Sequence, residues 1–162
     1  MTTVDKVSTC LWFNDQAEEA VEFYQSLLPG LVEITETSRY GSWAPDHEGK
    51  VLELWFTIAG RSFVALNGGE DVEYDHAMSL MVDCDGQDEV DRVWEAMLER
   101  GGKEIQCGWI ADPWGVNWQI IPNGMEDYIT GPDPEGAKRA VEAMFGMKKL
   151  VLADLERAYK GQ

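Results

Sequence analysis

The feature that most constrains this chain is that it repeats itself. A strand-like run, "VSTCLWF" at 7–13, leads through Asn14-Asp15 into an amphipathic helix. That helix carries Ala17, Ala20, Val21, Tyr24, Leu27 and Leu28 on one stripe and ends at Pro29-Gly30. About 70 residues later the same order returns. "AMSLMVDC" at 77–84 leads through Asp85 into a helix with Val90, Val93, Trp94, Met97 and Leu98 on its stripe, ending at Gly101-Gly102. Asp15 with Glu18, and Asp85 with Asp88, are placed to cap the two helices. An amphipathic helix must cover something apolar, so each helix is predicted to lie on one face of a sheet.

The strands for those sheets follow each helix. In the first half they are "LVEITETSRY" (31–40), "VLELWFTIA" (51–59) and "SFVALN" (62–67), with Gly60-Arg61 as a tight hairpin between the last two. In the second half they are "KEIQCGWI" (103–110) and "VNWQIIP" (116–122), joined by a turn at Asp112-Pro113-Trp114-Gly115. The acidic stretch "GGEDVEYD" at 68–75 links the halves. The fold class is therefore α+β: two tandem β-α-β-β-β modules, one at about 5–70 and one at about 74–123, in a single domain with a helical extension at about 124–160. In that extension Ala137, Ala140, Val141, Met144 and Phe145 share a stripe, followed by a second helix over 153–159. An apolar tail must bury itself on its own sheet or on a partner subunit.

Charge excludes several functions. The 162 residues include 30 acidic and 13 basic ones, a net charge of −17, which repels nucleic acid and anionic membranes. No clustered acidic tail points to a basic partner, so the charge reads as solubility. No apolar run approaches the roughly 20 residues that span a bilayer. "MTTVDKVSTCLWF" lacks the basic-then-apolar order of a signal segment. Cys10, Cys84 and Cys107 are odd in number and lack metal-ligand spacing, which points to free thiols in a reducing, cytoplasmic setting, with redox chemistry the alternative. No G-x-S-x-G occurs, and no Ser or Cys has an identifiable His partner. His47 falls in a loop and His76 just before a strand.

Five blocks together carry a resemblance: "CLWFNDQAEEAVEFYQSLLPG", "FVALNGG", "SLMVDCDGQDEVDRVWEAMLERGG", "CGWIADPWGVNWQIIP" and "AVEAMFGMKKLVLADLERA". They resemble the PhnB-like branch of the vicinal oxygen chelate (glyoxalase/bleomycin resistance) superfamily, a branch also labelled 3-demethylubiquinone-9 3-methyltransferase-like. The resemblance implies sheets curled into a cup. In active members the cup holds a divalent metal on His, Glu or sometimes Gln from the first and last strand of each half. The matching positions here are Ser8 (Thr9 one residue on), Asn67, Ser79 and Gln119. That set holds neither His nor carboxylate, and hydroxyls and amides are weak ligands for transition metals, so no metal is expected. The methyltransferase label implies a methyl donor, which usually sits on a Gly-rich turn between a parallel strand and a helix. Gly68-Gly69 reads instead as a hairpin end or linker and Gly101-Gly102 as a helix C-cap, so no cofactor is expected.

Strand alternation sorts the remaining candidates. Ser8, Cys10 and Trp12 share a face. Glu53 and Trp55 share another, Glu53 being either a solvated residue or a pocket acid able to act as base or pair with a cationic ligand. Asn117 goes with Gln119, while Trp118 packs under the helices as Trp94 does. Trp12, Trp55 and Trp109 are divided between core and pocket wall. Aromatic walls with a few polar groups suit a small molecule. The expected function is binding of an unidentified small molecule by a homodimer. The alternatives are a divalent-metal lyase, isomerase or dioxygenase, and a dimeric structural or regulatory protein with a filled cup.

Overall fold

The computed structural model describes residues 5–162; residues 1–4, part of the stretch read for a signal segment, lie outside the described residues. The chain forms two compact units, divided between Glu73 and Tyr74. The first contains β1 (Thr9–Phe13), α1 (Ala17–Leu27), β2 (Val32–Arg39), β3 (Val51–Ile58) and β4 (Arg61–Asn67). Its sheet runs β1-β4-β3-β2, with β1 parallel to β4 and the other pairs antiparallel. Register places Leu11, Phe13, Leu54, Phe56, Phe63 and Ala65 on one face, and all six are buried. The α1 stripe covers that face; Tyr24 meets Phe56 with ring centroids 6.5 Å apart, and Phe56 stacks on Phe63 at 5.4 Å. Each such large apolar side chain contributes about 1.5–3 kcal/mol on burial.

Two local details differ from the sequence reading. The β3–β4 turn is Ala59-Gly60, one residue earlier than expected, because Ile58 pairs with Arg61. Both turn residues have positive φ (48° and 80°), the geometry that matches strand twist in a two-residue hairpin. The start of α1 is not capped by an Asp15–Glu18 box. The Ala17 N–H instead donates to Oδ1 of Asn67 at 2.9 Å. Phe13 pairs with Asn67, so the end of β4 lies beside the chain just before it enters the helix.

The second unit repeats the plan with β5 (Leu80–Cys84), α2 (Gln87–Arg100), β6 (Lys103–Glu104), β7 (Trp109–Ala111) and β8 (Asn117–Pro122). Its sheet runs β5-β8-β7-β6, with β5 parallel to β8. Val90, Val93, Trp94 and Met97 of α2 are buried, whereas Leu98 is 38 % exposed. The expected Asp88 cap is absent: Glu89 reaches back and accepts from the Asp85 N–H at 2.6 Å. At the other end Gly101 is left-handed (φ 110°), and Gly102 donates to the Met97 carbonyl at 2.8 Å, as a glycine C-cap requires.

The stretch expected as one strand over 103–110 is broken. Cys107 and Gly108 have positive φ, and their N–H groups donate to the carbonyls of Met147 and Lys148 at 2.8 and 2.7 Å. Backbone groups that would continue a strand are taken by the C-terminal extension. That extension comprises α3 (Glu126–Ile129), α4 (Pro134–Phe145) and α5 (Leu152–Lys160). Met125, Leu150 and Leu155 form its buried centre, packed by Ile121, Tyr128, Ile129 and Met144. The tail is therefore buried within its own unit, although Phe145, expected on the covered stripe, stays 61 % exposed. Gln87 at the start of α2 fixes it: Nε2 donates to the Leu150 carbonyl at 3.0 Å, and Oε1 accepts from the Leu152 N–H at 2.8 Å. Lys149 and Gln87 both donate to Asp91, holding its carboxyl below the usual range. Among the described residues no helix is long and apolar enough to cross a membrane.

The turn at Asp112 is built around a buried carboxylate. Asp112 Oδ1 accepts from the Trp114 and Val116 N–H groups at 3.0 Å, and Oδ2 accepts from the indole of Trp118 at 3.1 Å. Trp118 is 1 % exposed, so this carboxylate satisfies the polar atom of a core side chain. Asp112→Ala removes the acceptor of two buried donors, the Val116 N–H and the Trp118 indole, and of the part-buried Trp114 N–H, and is expected to cost about 3 kcal/mol, read from the urea midpoint. A loss under 1 kcal/mol would refute this role.

Burial, and next the charge of Glu89, push the Cys84 thiol up to about 12 from an ordinary 9.0. A pKa raised by folding contributes stability that is complete below the unfolded value and lost as pH rises through the folded one. Stability is therefore expected to fall between about pH 9 and 12, and to fall less in Cys84→Ala, measured by urea unfolding at stepped pH. Parallel decline of both proteins would contradict the assignment.

Candidate functional site

Each sheet has one face under its helix and one face turned away. In the first unit, register puts Cys10 and Trp12 of β1, Val64 and Leu66 of β4, Glu53 and Trp55 of β3, and Glu36 and Ser38 of β2 on the face away from α1. The shared faces expected for Cys10 with Trp12, and for Glu53 with Trp55, are thus one and the same face. Oε2 of Glu53 accepts from the Ser38 hydroxyl and from the Trp55 indole, both at 3.4 Å. Desolvation, and then the charge of Glu53, raise the pKa of the neighbouring Cys10 thiol. The Trp12 indole donates to the Glu70 carbonyl at 2.9 Å and lies against Gly68, where a Cβ would sit 2.0 Å from the ring. Only glycine fits there, a close approach that sequence spacing alone does not reveal. The Ser8 hydroxyl is buried with no hydrogen-bond partner among the described residues.

Asn67 departs from the set in which the resemblance placed it. Alternation along β4 puts it with Phe63 and Ala65, on the helix side, and it is 5 % exposed. Its amide is used within the fold: besides accepting from Ala17, Nδ2 donates to the Val51 carbonyl at 3.0 Å and to Glu18 at 3.4 Å. The correction follows from the two-residue period of a strand, since a position one residue off belongs to the opposite face.

In the second unit, register aligns Gln119 of β8 with Met81 of β5 and with Trp109 of β7, on the face away from α2. Nε2 of Gln119 donates to the Ser79 hydroxyl at 2.9 Å. The two positions read as ligand-bearing thus meet, Ser79 standing one residue before β5 begins. Trp109 is half-buried and packs against His76, with ring centroids 5.5 Å apart. Met81 beside them is 62 % exposed. Asn117, also on this side, is buried and donates to the Asp75 carbonyl at 2.7 Å, tying β8 to the segment before β5. Trp94 and Trp118 are buried, as expected. His47 lies in the loop between β2 and β3, against Tyr40 at 5.3 Å. Among the described residues no three His, Cys, Asp or Glu side chains come together as a metal site. An open groove on α2, lined by Asp88, Asp91, Arg92 and Glu95, involves none of the candidate residues.

Two copies of β-α-β-β-β, each with its first strand parallel to its last, define a protein of the glyoxalase-like, vicinal oxygen chelate fold. A family described as 3-demethylubiquinone-9 3-methyltransferase matches residues 5–121, and the chain belongs to that PhnB-like family. The PhnB protein of Bacillus cereus is 32 % identical, over 73 % of this chain and 99 % of that one, with a TM-score of 0.64. Protein PA1353 of Pseudomonas aeruginosa shares the fold at 19 % identity and TM-score 0.55, covering 72 % of this chain and 96 % of that one. So does the fosfomycin resistance protein FosX of Listeria monocytogenes, in a complex with Mn(II) and sulfate, at 16 % identity and TM-score 0.53, covering 79 % and 98 %. No curated protein matches the chain.

The two amides differ in what they support. Asn67→Ala is expected to lower stability by about 2–3 kcal/mol, because it strips the start of α1 and a buried carbonyl of their partner. Gln119→Ala is expected to cost under about 1 kcal/mol, since only a half-buried hydroxyl loses a bond. Equal losses in urea unfolding would show that Gln119 too is structural.

Proposed function

We propose that the chain is a metal-free small-molecule binding protein of the glyoxalase-like fold, which takes its ligand on the sheet faces turned away from the helices. One observation carries this reading: at two positions where the resemblance implies metal ligands, an amide donates to a hydroxyl. Both groups are neutral and already satisfy each other. They are poor donors for a divalent ion but suit exchange of a hydrogen bond with an organic carbonyl or hydroxyl. Trp109 and His76 beside them supply ring surface against which a planar group packs.

A metal does not fit the donor set. Ser8, Ser79 and Gln119 offer two hydroxyls and an amide, and Asn67 is committed to α1. The reading as a divalent-metal lyase, isomerase or dioxygenase rests on the fold, which hosts more than one chemistry. The methyl donor implied by the family's description does not fit either. Gly68 is covered by the Trp12 ring, and Gly101-Gly102 closes α2. The homodimer and the cytoplasmic location belong to the same proposal; a gel-filtration mass near 18 kDa would count against the dimer.

Calorimetric titration with MnCl2 and ZnCl2 tests the metal-free part, with no stoichiometric binding expected. In parallel, ligand-observed NMR with a set of planar aromatic amides is expected to give binders that are lost in Trp109→Ala and weakened in Gln119→Ala. One tightly bound Mn(II) or Zn(II) per chain, abolished by Gln119→Ala, would overturn the proposal.

A further inference from the structure

The open face of the first unit has a chemistry of its own. Its register forms two cross-strand rows: Trp12, Leu66, Glu53 and Ser38 in one, and Cys10, Val64, Trp55 and Glu36 in the next. Trp12 and Glu53 are separated by one strand, a gap of about 10 Å floored by Leu66. Trp55 lies next to Glu53 along β3. A carboxylate thus has one indole beside it on its own strand and a second across an apolar floor. It accepts only from two neutral donors, each at 3.4 Å, and its Oε1 has no partner among the described residues.

The charged groups that regular pairing places on this face are acidic. Glu33 pairs with Thr57 and Glu36 with Trp55, which puts both carboxylates on the same side as Glu53. Arg39, the last residue of β2, pairs with Val51 beyond an irregularity in the register, and its guanidinium donates to the Gly49 carbonyl at 2.9 Å; no other Lys or Arg on a strand is assigned to this side. Indole faces attract cations through their quadrupole, most strongly where water is partly excluded, and a carboxylate flanked by them adds direct attraction. An anion meets repulsion from the same groups.

From this arrangement we infer that the open face of the first unit binds a small organic cation, an ammonium carried on an apolar body, with Glu53 opposite the charge and Trp12 and Trp55 against the body. This deepens the proposed function and rests on its claim that the open faces take a small molecule. An inorganic divalent ion is a different ligand chemistry: it needs several oxygen donors around one point, and here one carboxylate is paired with indoles.

Cys10 is a built-in reporter, because its thiol is exposed and belongs to the row next to Glu53. The rate at which N-ethylmaleimide modifies Cys10 in the full chain is followed by peptide mass spectrometry, with benzyltrimethylammonium, benzyl alcohol or benzoate added. Benzyltrimethylammonium is expected to protect Cys10, and Glu53→Gln to raise its half-protecting concentration about ten-fold. Without any additive, Glu53→Gln is expected to speed modification, since a negative neighbour of the thiolate is removed, with the unfolding midpoint checking that the variant is folded. Protection by benzyl alcohol or benzoate at the same concentration as by the cation overturns the inference while leaving the face a binding surface. Protection by none of the three removes both the inference and this face from the proposed function. Unchanged protection in Glu53→Gln, with a normal unfolding midpoint, overturns the role of Glu53.

Discussion

A strand sends its side chains to two faces, and each four-stranded sheet here receives one helix. That imbalance governs the structure. The covered faces hold the apolar mass: Leu11, Phe13, Leu54, Phe56, Phe63 and Ala65 in one unit, Ile110, Trp118 and Ile120 in the other. The uncovered faces hold polar groups set among aromatic ones, which a core rarely tolerates without partners. Candidate site and core are therefore two sides of the same strands. A one-residue difference along a strand decides which face a side chain takes, and Asn67 and Gln119 show both outcomes.

Much of this was legible in the sequence because it depends on short-range periodicity. The α1 stripe, the strand alternation, the Gly101-Gly102 cap and the burial of Trp94 and Trp118 follow from spacings of two, three and four residues. What was not legible depends on long-range backbone partners. Asn67 caps a helix that begins 50 residues earlier. The strand expected over 103–110 is broken because residues 147 and 148 take its hydrogen bonds. Asp112 looks like an ordinary turn residue until Trp118 is found to place its indole on the carboxylate. Of the candidate site, Cys10, Trp12, Glu53 and Trp55 fall on one face and Ser79 meets Gln119. Asn67 could not be assigned to its side without knowing where β4 pairs with β1.

The two units solve one problem differently. In the first, an amide from the last strand caps the helix. In the second, the corresponding helix start is held by Glu89 on itself and by Gln87 on the tail. The repeat thus preserves topology while the contacts that fix it have diverged. The second unit has become dependent on residues beyond its last strand.

That dependence reaches further. The family match ends at residue 121, and α3, α4 and α5 all follow it. Yet the tail supplies the carbonyls that Cys107 and Gly108 need, and Leu150 presses on Gly108 so closely that a Cβ there would lie 2.8 Å from its Cδ1. The extension is less an appendage than a late-arriving strand edge. During synthesis, the interior of the second unit stays unfinished until the residues from Met147 to Leu155 have been made.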